Sequence, residues 1–171
     1  IAGCGIAGPA LLGGLGLSRV VPLPNDFVGL ELGEPVLFRA ASWMLWGSPP
    51  EGYTVNMHPM AFAAWFGLIA TALNLFPVGQ LDGGHISYAV LGRRSSQVSL
   101  AFMALAIGLT FVSLSWLLPA AVMIVFTLAM GLHHPRTADE HVPLDRTRLW
   151  LAASAAAMFA VCFTPAPIRL L

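Results

Sequence analysis

The sequence predicts an all-α bundle of membrane-spanning helices with one broken helix near Pro77–Gly84. Three observations predict it. Of the 171 residues, 57% are hydrophobic and 9% charged, where soluble domains carry about 25% charged residues. The few charges leave long uncharged runs at 1–18, 52–81, 95–135 and 149–168. One of these runs ends in Pro77, Gly79, Gly83 and Gly84 around a single acid, Asp82. Too little charge is present to cover a water-facing surface, so the class implied is an integral membrane protein.

A bilayer-crossing helix needs roughly 20 apolar residues. On that measure the first run holds one span at about 1–17, and the second holds one at about 57–76. The run 95–135 is too long for one crossing and divides into spans at about 97–113 and 117–132, joined by a turn near Ser113–Pro119. A fifth span falls at about 149–165. The five together make a single transmembrane domain over 1–171. The sequence opens on Ile1 and not on Met, which leads us to expect that the first helix is the remainder of a longer one.

Residues 18–56 form an outer segment rich in Leu, Phe and Trp. From Pro35 to Trp46 its apolar residues recur at helical spacing, with Trp43 and Trp46 three apart. Two readings fit: an amphipathic helix with tryptophans at headgroup depth, or a short helix packed on the spans. Pro49, Pro50 and Gly52 end it.

Arginine placement orients the spans. Arg93 and Arg94 follow the broken helix, and Arg136, Arg146 and Arg148 lie within or beside the loop 133–148. Both segments are expected on the cytoplasmic side of a multi-pass protein, with 18–56 opposite. The eight acids and eight bases cancel, and every base is Arg. Nothing here suggests a nucleic-acid partner; the lipid bilayer is the expected one.

Asp82 carries the chemistry. A carboxylate at the centre of a membrane helix costs about 2.5–3.5 kcal/mol on some scales. Arg94 belongs near headgroup level, and 1.5 Å per helical residue puts Asp82 up to about 18 Å deeper. Pro77 lacks an amide hydrogen and interrupts a helical ladder. Non-helical backbone at membrane depth survives only where protein buries it or water reaches it. Asn74 adds a carboxamide just before the break. Two readings again stand: Asp82 as the N-cap of a helix starting at Gly83, or Asp82 as a functional intramembrane acid.

The stretch "NLFPVGQLDGG", Asn74 to Gly84, resembles the Asn-x-x-Pro-x-x-x-Leu-Asp-Gly motif of the site-2 protease family, the intramembrane zinc metalloproteases. Asn74, Pro77, Leu81, Asp82 and Gly83 match at the family spacing, and Gly84 extends the match. "GIAGPALLGG", Gly5 to Gly14, is similar to the Gly-Pro helix that precedes this segment in the family. The resemblance implies that Asp82 is the third ligand of a Zn2+ ion. It implies that the other ligands are two histidines of a His-Glu-x-x-His helix, whose Glu is the general base. It also implies that Asn74 contacts the substrate backbone or the developing oxyanion, and that the glycines admit backbone close to the metal. The implied activity is that of an intramembrane metalloendopeptidase, which cleaves a peptide bond in or near a transmembrane segment of a membrane-protein substrate.

The sequence departs from the family at one point. Its histidines are His58, His85, His133, His134 and His141, and none forms the His-Glu-x-x-His pair. The expectation is therefore a C-terminal part of a longer protease, inactive by itself. Rival readings are a transporter or channel with a discontinuous helix, or a non-catalytic membrane scaffold.

The remaining polar residues carry less. His85 is either a polar neighbour of Asp82 or the residue completing its cap. His58 precedes Pro59 at a helix start. His133, His134, Asp139, Glu140 and His141 read as a solvated loop, since their spacing fits no zinc motif. Cys4 and Cys162 lie in apolar runs and read as buried thiols. No Cys-x-x-Cys spacing is present.

Overall fold

In the computed structural model the described residues are 2–22, 30–47, 52–130 and 144–170. The cluster from His133 to His141, with most of the expected cytoplasmic loop, lies outside them, as do Pro49, Pro50 and the side chain of Cys4.

Helices dominate. They are α1 (Ala2–Leu17), α2 (Val36–Trp46), α3 (Pro59–Asn74), α4 (Asp82–Leu91), α5 (Ser95–Leu109), α6 (Leu117–Met130) and α7 (Arg146–Cys162). Five of them, α1, α3, α5, α6 and α7, occupy the five apolar stretches. Short 3-10 turns at Gly92–Arg94 and Leu114–Trp116 lead into α5 and α6. No helix among the described residues is long and apolar enough to cross a membrane. The longest, α7, has 17 residues and rises about 26 Å at 1.5 Å per residue, against a hydrocarbon core of about 30 Å.

The mostly helical expectation holds, with one addition. Among the described residues there are four short strands: β1 (Arg19–Pro22), β2 (Leu30–Leu32), β3 (Tyr53–Asn56) and β4 (Ile168–Leu170). β1 pairs antiparallel with β3, with Arg19 opposite Asn56 and Pro22 opposite Tyr53. β2 pairs antiparallel with β4, with Glu31 opposite Arg169. The physical reason lies in β-branched pairs. Val20 faces Val55 and Val21 faces Thr54 in register, and such residues suit a pleated ribbon.

The chain divides into two compact units, Ile1–Thr71 with Ala160–Leu171, and Ala72–Phe159. In the first, α1 and α3 cross where backbone meets backbone. A Cβ on Gly14 would collide with the main chain of Ala61, while Ala7 lies near Gly67, so the two helices run antiparallel. Leu11, Leu15, Ala61, Trp65 and Leu68 are buried along these helices. Ser18 ties their ends together: its hydroxyl donates to the Gly14 carbonyl at 2.8 Å and accepts from the His58 amide at 2.9 Å. The Trp65 indole donates to the Gly33 carbonyl at 2.8 Å. Helix α2 contacts α1 and buries Phe38 and Ala41, while Trp43 and Met44 remain exposed.

The second unit is built on rings. Phe76, wholly buried, meets Phe102, Trp116 and Phe159 at centroid distances of 5.7, 5.7 and 5.3 Å. Edge-on and tilted contacts at such distances are the favoured geometry for aromatic pairs. Phe76 thereby fixes the start of the irregular segment between α3 and α4. Helices α5 and α6 also contact each other, and Ala106, Ala120 and Met123 are buried on them.

Candidate metal centre

The helical backbone stops at Asn74 and restarts at Asp82. Pro77 cannot donate, so a ladder running through it would be broken. The intervening amides find local partners instead. Phe76 donates to the Leu73 carbonyl, Val78 to Phe76 and Leu81 to Val78, at 3.2, 2.8 and 3.2 Å. Gly79 takes φ +53°, a left-handed conformation that glycine adopts without penalty. The carbonyl of the half-buried Pro77 is anchored by α5, where the buried Ser99 hydroxyl donates to it at 2.8 Å.

Where the chain re-enters a helix, Gly83 and Gly84 are both buried. A Cβ at Gly83 would overlap the carbonyl oxygen of Leu75, and one at Gly84 that of Gly79. Bare backbone beside the acid therefore lets the start of α4 lie directly on the carbonyls of the preceding segment.

This folding-back brings Asn74 and Asp82 together. The Asn74 side-chain amide donates to Oδ2 of Asp82 at 2.8 Å, and both residues are exposed. A carboxylate only accepts hydrogen bonds, so the contact fixes which end of the carboxamide faces the acid. Asp82 also sits in the first turn of α4, where the helix dipole favours negative charge.

The capping reading of Asp82 is not realised. The residue at the cap position is Leu81, with extended backbone and no side-chain cap bond. The His85 amide donates to the Leu81 carbonyl at 3.0 Å, which makes Asp82 the first helical residue. The acid thus has a side chain directed to Asn74 rather than consumed by the helix end. His85 lies one turn further along α4 and is exposed. His58 instead uses Nδ1 to accept from the Met60 amide at 3.2 Å, a helix-start role. Cys162 is a buried thiol.

As a metal centre the described residues offer a partial set. Among them no group of three His, Cys, Asp or Glu converges on a point, and zinc sites in enzymes use three protein ligands with an open fourth position. Asp82 fits as one such ligand: it is an accessible carboxylate with one oxygen held by Asn74. A three-ligand shell that included Asp82 would need residues beyond those described.

Comparison with known proteins places this segment. Residues 49–116 match the model of peptidase family M50. The chain is 28% identical to a probable zinc metalloprotease EGY2, chloroplastic, of Arabidopsis thaliana, over 72% of this chain and 23% of that protein. It is 36% identical to the corresponding protein of Oryza sativa subsp. indica, over 57% of this chain and 18% of that protein. It is 45% identical over 42 residues to a probable zinc metalloprotease EGY1, chloroplastic, of Arabidopsis thaliana. The chain thus spans less than a quarter of the length of these relatives. No solved structure matches it. Residues 49–116, which contain the Asn74–Asp82 pair and its supporting glycines, are thus the part of the chain that is similar to peptidase family M50, the site-2 protease family.

Proposed function

We propose that this chain supplies the third-ligand half of an intramembrane zinc metalloprotease, with Asp82 as its zinc ligand. The observation that carries the reading is the Asn74–Asp82 contact at 2.8 Å inside the family-matched segment. When bound, zinc supplies Lewis acidity for hydrolysing a peptide bond. Asp82 contributes negative charge and one oxygen donor. Gly83 and Gly84 keep side chains away from the acid's backbone. Asn74 retains a second amide hydrogen and its carbonyl oxygen for a substrate backbone. These residues contain no His-Glu-x-x-His pair, so on this reading the two histidine ligands and the general-base Glu are not among them.

The membrane setting belongs to the same proposal. Large apolar side chains face outward on the unit formed by α4 to α7. Phe111 is 89% exposed, Leu118 73%, Leu128 79% and Trp150 74%. Extended apolar surface of this kind marks contact with lipid or with another protein. The uncharged run 52–81 extends beyond α3 on both sides, which lengthens the apolar stretch past the helix itself. The substrate is then a membrane protein cut in or near its own transmembrane segment. Arg93–Arg94 and the loop 133–148 face the cytoplasmic side.

The test is a cleavage assay with the intact protein and a membrane-anchored reporter in lipid vesicles. Cleavage should stop on chelation, resume with added Zn2+, and be lost in Asp82→Ala. Cleavage that survives both chelation and Asp82→Ala would reject the reading.

A further inference from the structure

We infer that Asn74 is a positioning residue for Asp82, holding one carboxylate oxygen so that the other is presented to the metal. The inference rests on the proposal that Asp82 is a zinc ligand, and it assigns Asn74 a task distinct from touching substrate.

Three observations carry it. The contact is direct, at 2.8 Å, from the Asn74 amide nitrogen to Oδ2. It is also directional, because only the N–H end of a carboxamide can approach a carboxylate. An amide serving substrate alone has no reason to spend a hydrogen on the acid. Finally, the pair is imposed by the backbone and not by two flexible side chains that happen to meet. Asn74 closes α3 and Asp82 opens α4. The segment between them is pinned by the buried Phe76 ring and by Ser99 on the Pro77 carbonyl. Gly83 holds the start of α4 against Leu75, the neighbour of Asn74.

The consequence for a metal is geometric. A carboxylate with both oxygens free can rotate or bind in a two-oxygen mode. With Oδ2 engaged, Oδ1 is the oxygen left to coordinate. Hydrogen-bonded partners of ligating carboxylates orient the ligand, and losing one typically weakens metal binding 10- to 100-fold.

The experiment measures zinc affinity by chelator competition in the intact protein, without reference to cleavage. The proteins compared are wild type, Asn74→Ala, Asn74→Leu, Asp82→Ala and the Asn74→Ala/Asp82→Ala double variant. Leu keeps the branched shape and heavy-atom count of the Asn side chain, so a fold defect from truncation is separated from loss of the donor. Asn74→Ala and Asn74→Leu should each weaken zinc binding about 10-fold or more. The double variant should bind no more weakly than Asp82→Ala. Wild-type affinity in both Asn74 variants, alongside a weakened Asp82→Ala, overturns this inference and leaves the ligand assignment standing. So does a loss from Asn74→Ala that is equally large without Asp82. Unchanged affinity in Asp82→Ala removes the ligand assignment itself.

Discussion

Ser99 donates its hydroxyl to the carbonyl of Pro77 at 2.8 Å, linking α5 to the irregular segment that separates Asn74 from Asp82. The hydroxyl replaces a partner that a continuous helix would have supplied, so the bond stabilises the break and not a regular element. Replacing Ser99 by Ala should cost the intact protein about 1 kcal/mol, the net worth of a typical buried hydrogen bond. Ser96→Ala, one turn earlier on the same helix, should stay within about 0.5 kcal/mol of wild type. Chemical unfolding of the three proteins checks both values, and equal stabilities for the two variants would contradict the anchoring role.

Gly83 should tolerate no side chain. Its Cβ position is occupied by the Leu75 carbonyl, and a backbone atom has nowhere to move without reopening the loop. Gly83→Ala is expected to destabilise by about 1–3 kcal/mol, as overpacking does. Gly108→Ala, in a helix with open space around the position, should stabilise by about 0.5 kcal/mol. The opposite signs are the diagnostic, readable from midpoints of thermal unfolding.

Phe76 is the other fixed point of the break. Phe76→Ala removes the ring that Phe102, Trp116 and Phe159 surround and should cost about 3–5 kcal/mol. Zinc affinity should fall with it, because the segment carrying Asn74 loses its anchor. A variant that is destabilised but binds zinc at wild-type strength would show that the ring packs without positioning the site.

Trp65→Phe tests the first unit. It deletes the indole donor to Gly33 while keeping an aromatic ring, and should cost about 1 kcal/mol. Zinc affinity should be unaffected. A loss of metal binding in this variant would mean that the site depends on the Trp65–Gly33 bond in a way the Asn74–Asp82 geometry does not require.

Much of this was legible in the residues. Apolar runs located the helices, and the spacing from Asn74 through Pro77 to Asp82 located the break. What the spacing could not decide was whether Asp82 caps α4 or stands free of it. That choice depends on the backbone of Leu81, whose carbonyl receives the His85 amide. The strands were missed for a different reason. "RVVP" and "YTVN" are short and lie far apart in the chain, so their β-branched signal is visible only once their pairing is known. Trp43 and Trp46 did mark a helix, α2. Its buried residues, Phe38 and Ala41, show that it also packs inward. The Asn74–Asp82 bond itself was beyond sequence reasoning, because it follows from the fold-back that Gly83 permits.

The most direct measurement is zinc content per polypeptide of the intact protein, purified without added metal, with and without Asp82→Ala. The account predicts close to one zinc in the wild type and a marked loss in the variant, with circular dichroism unchanged. A variant that keeps its full complement of zinc would contradict it.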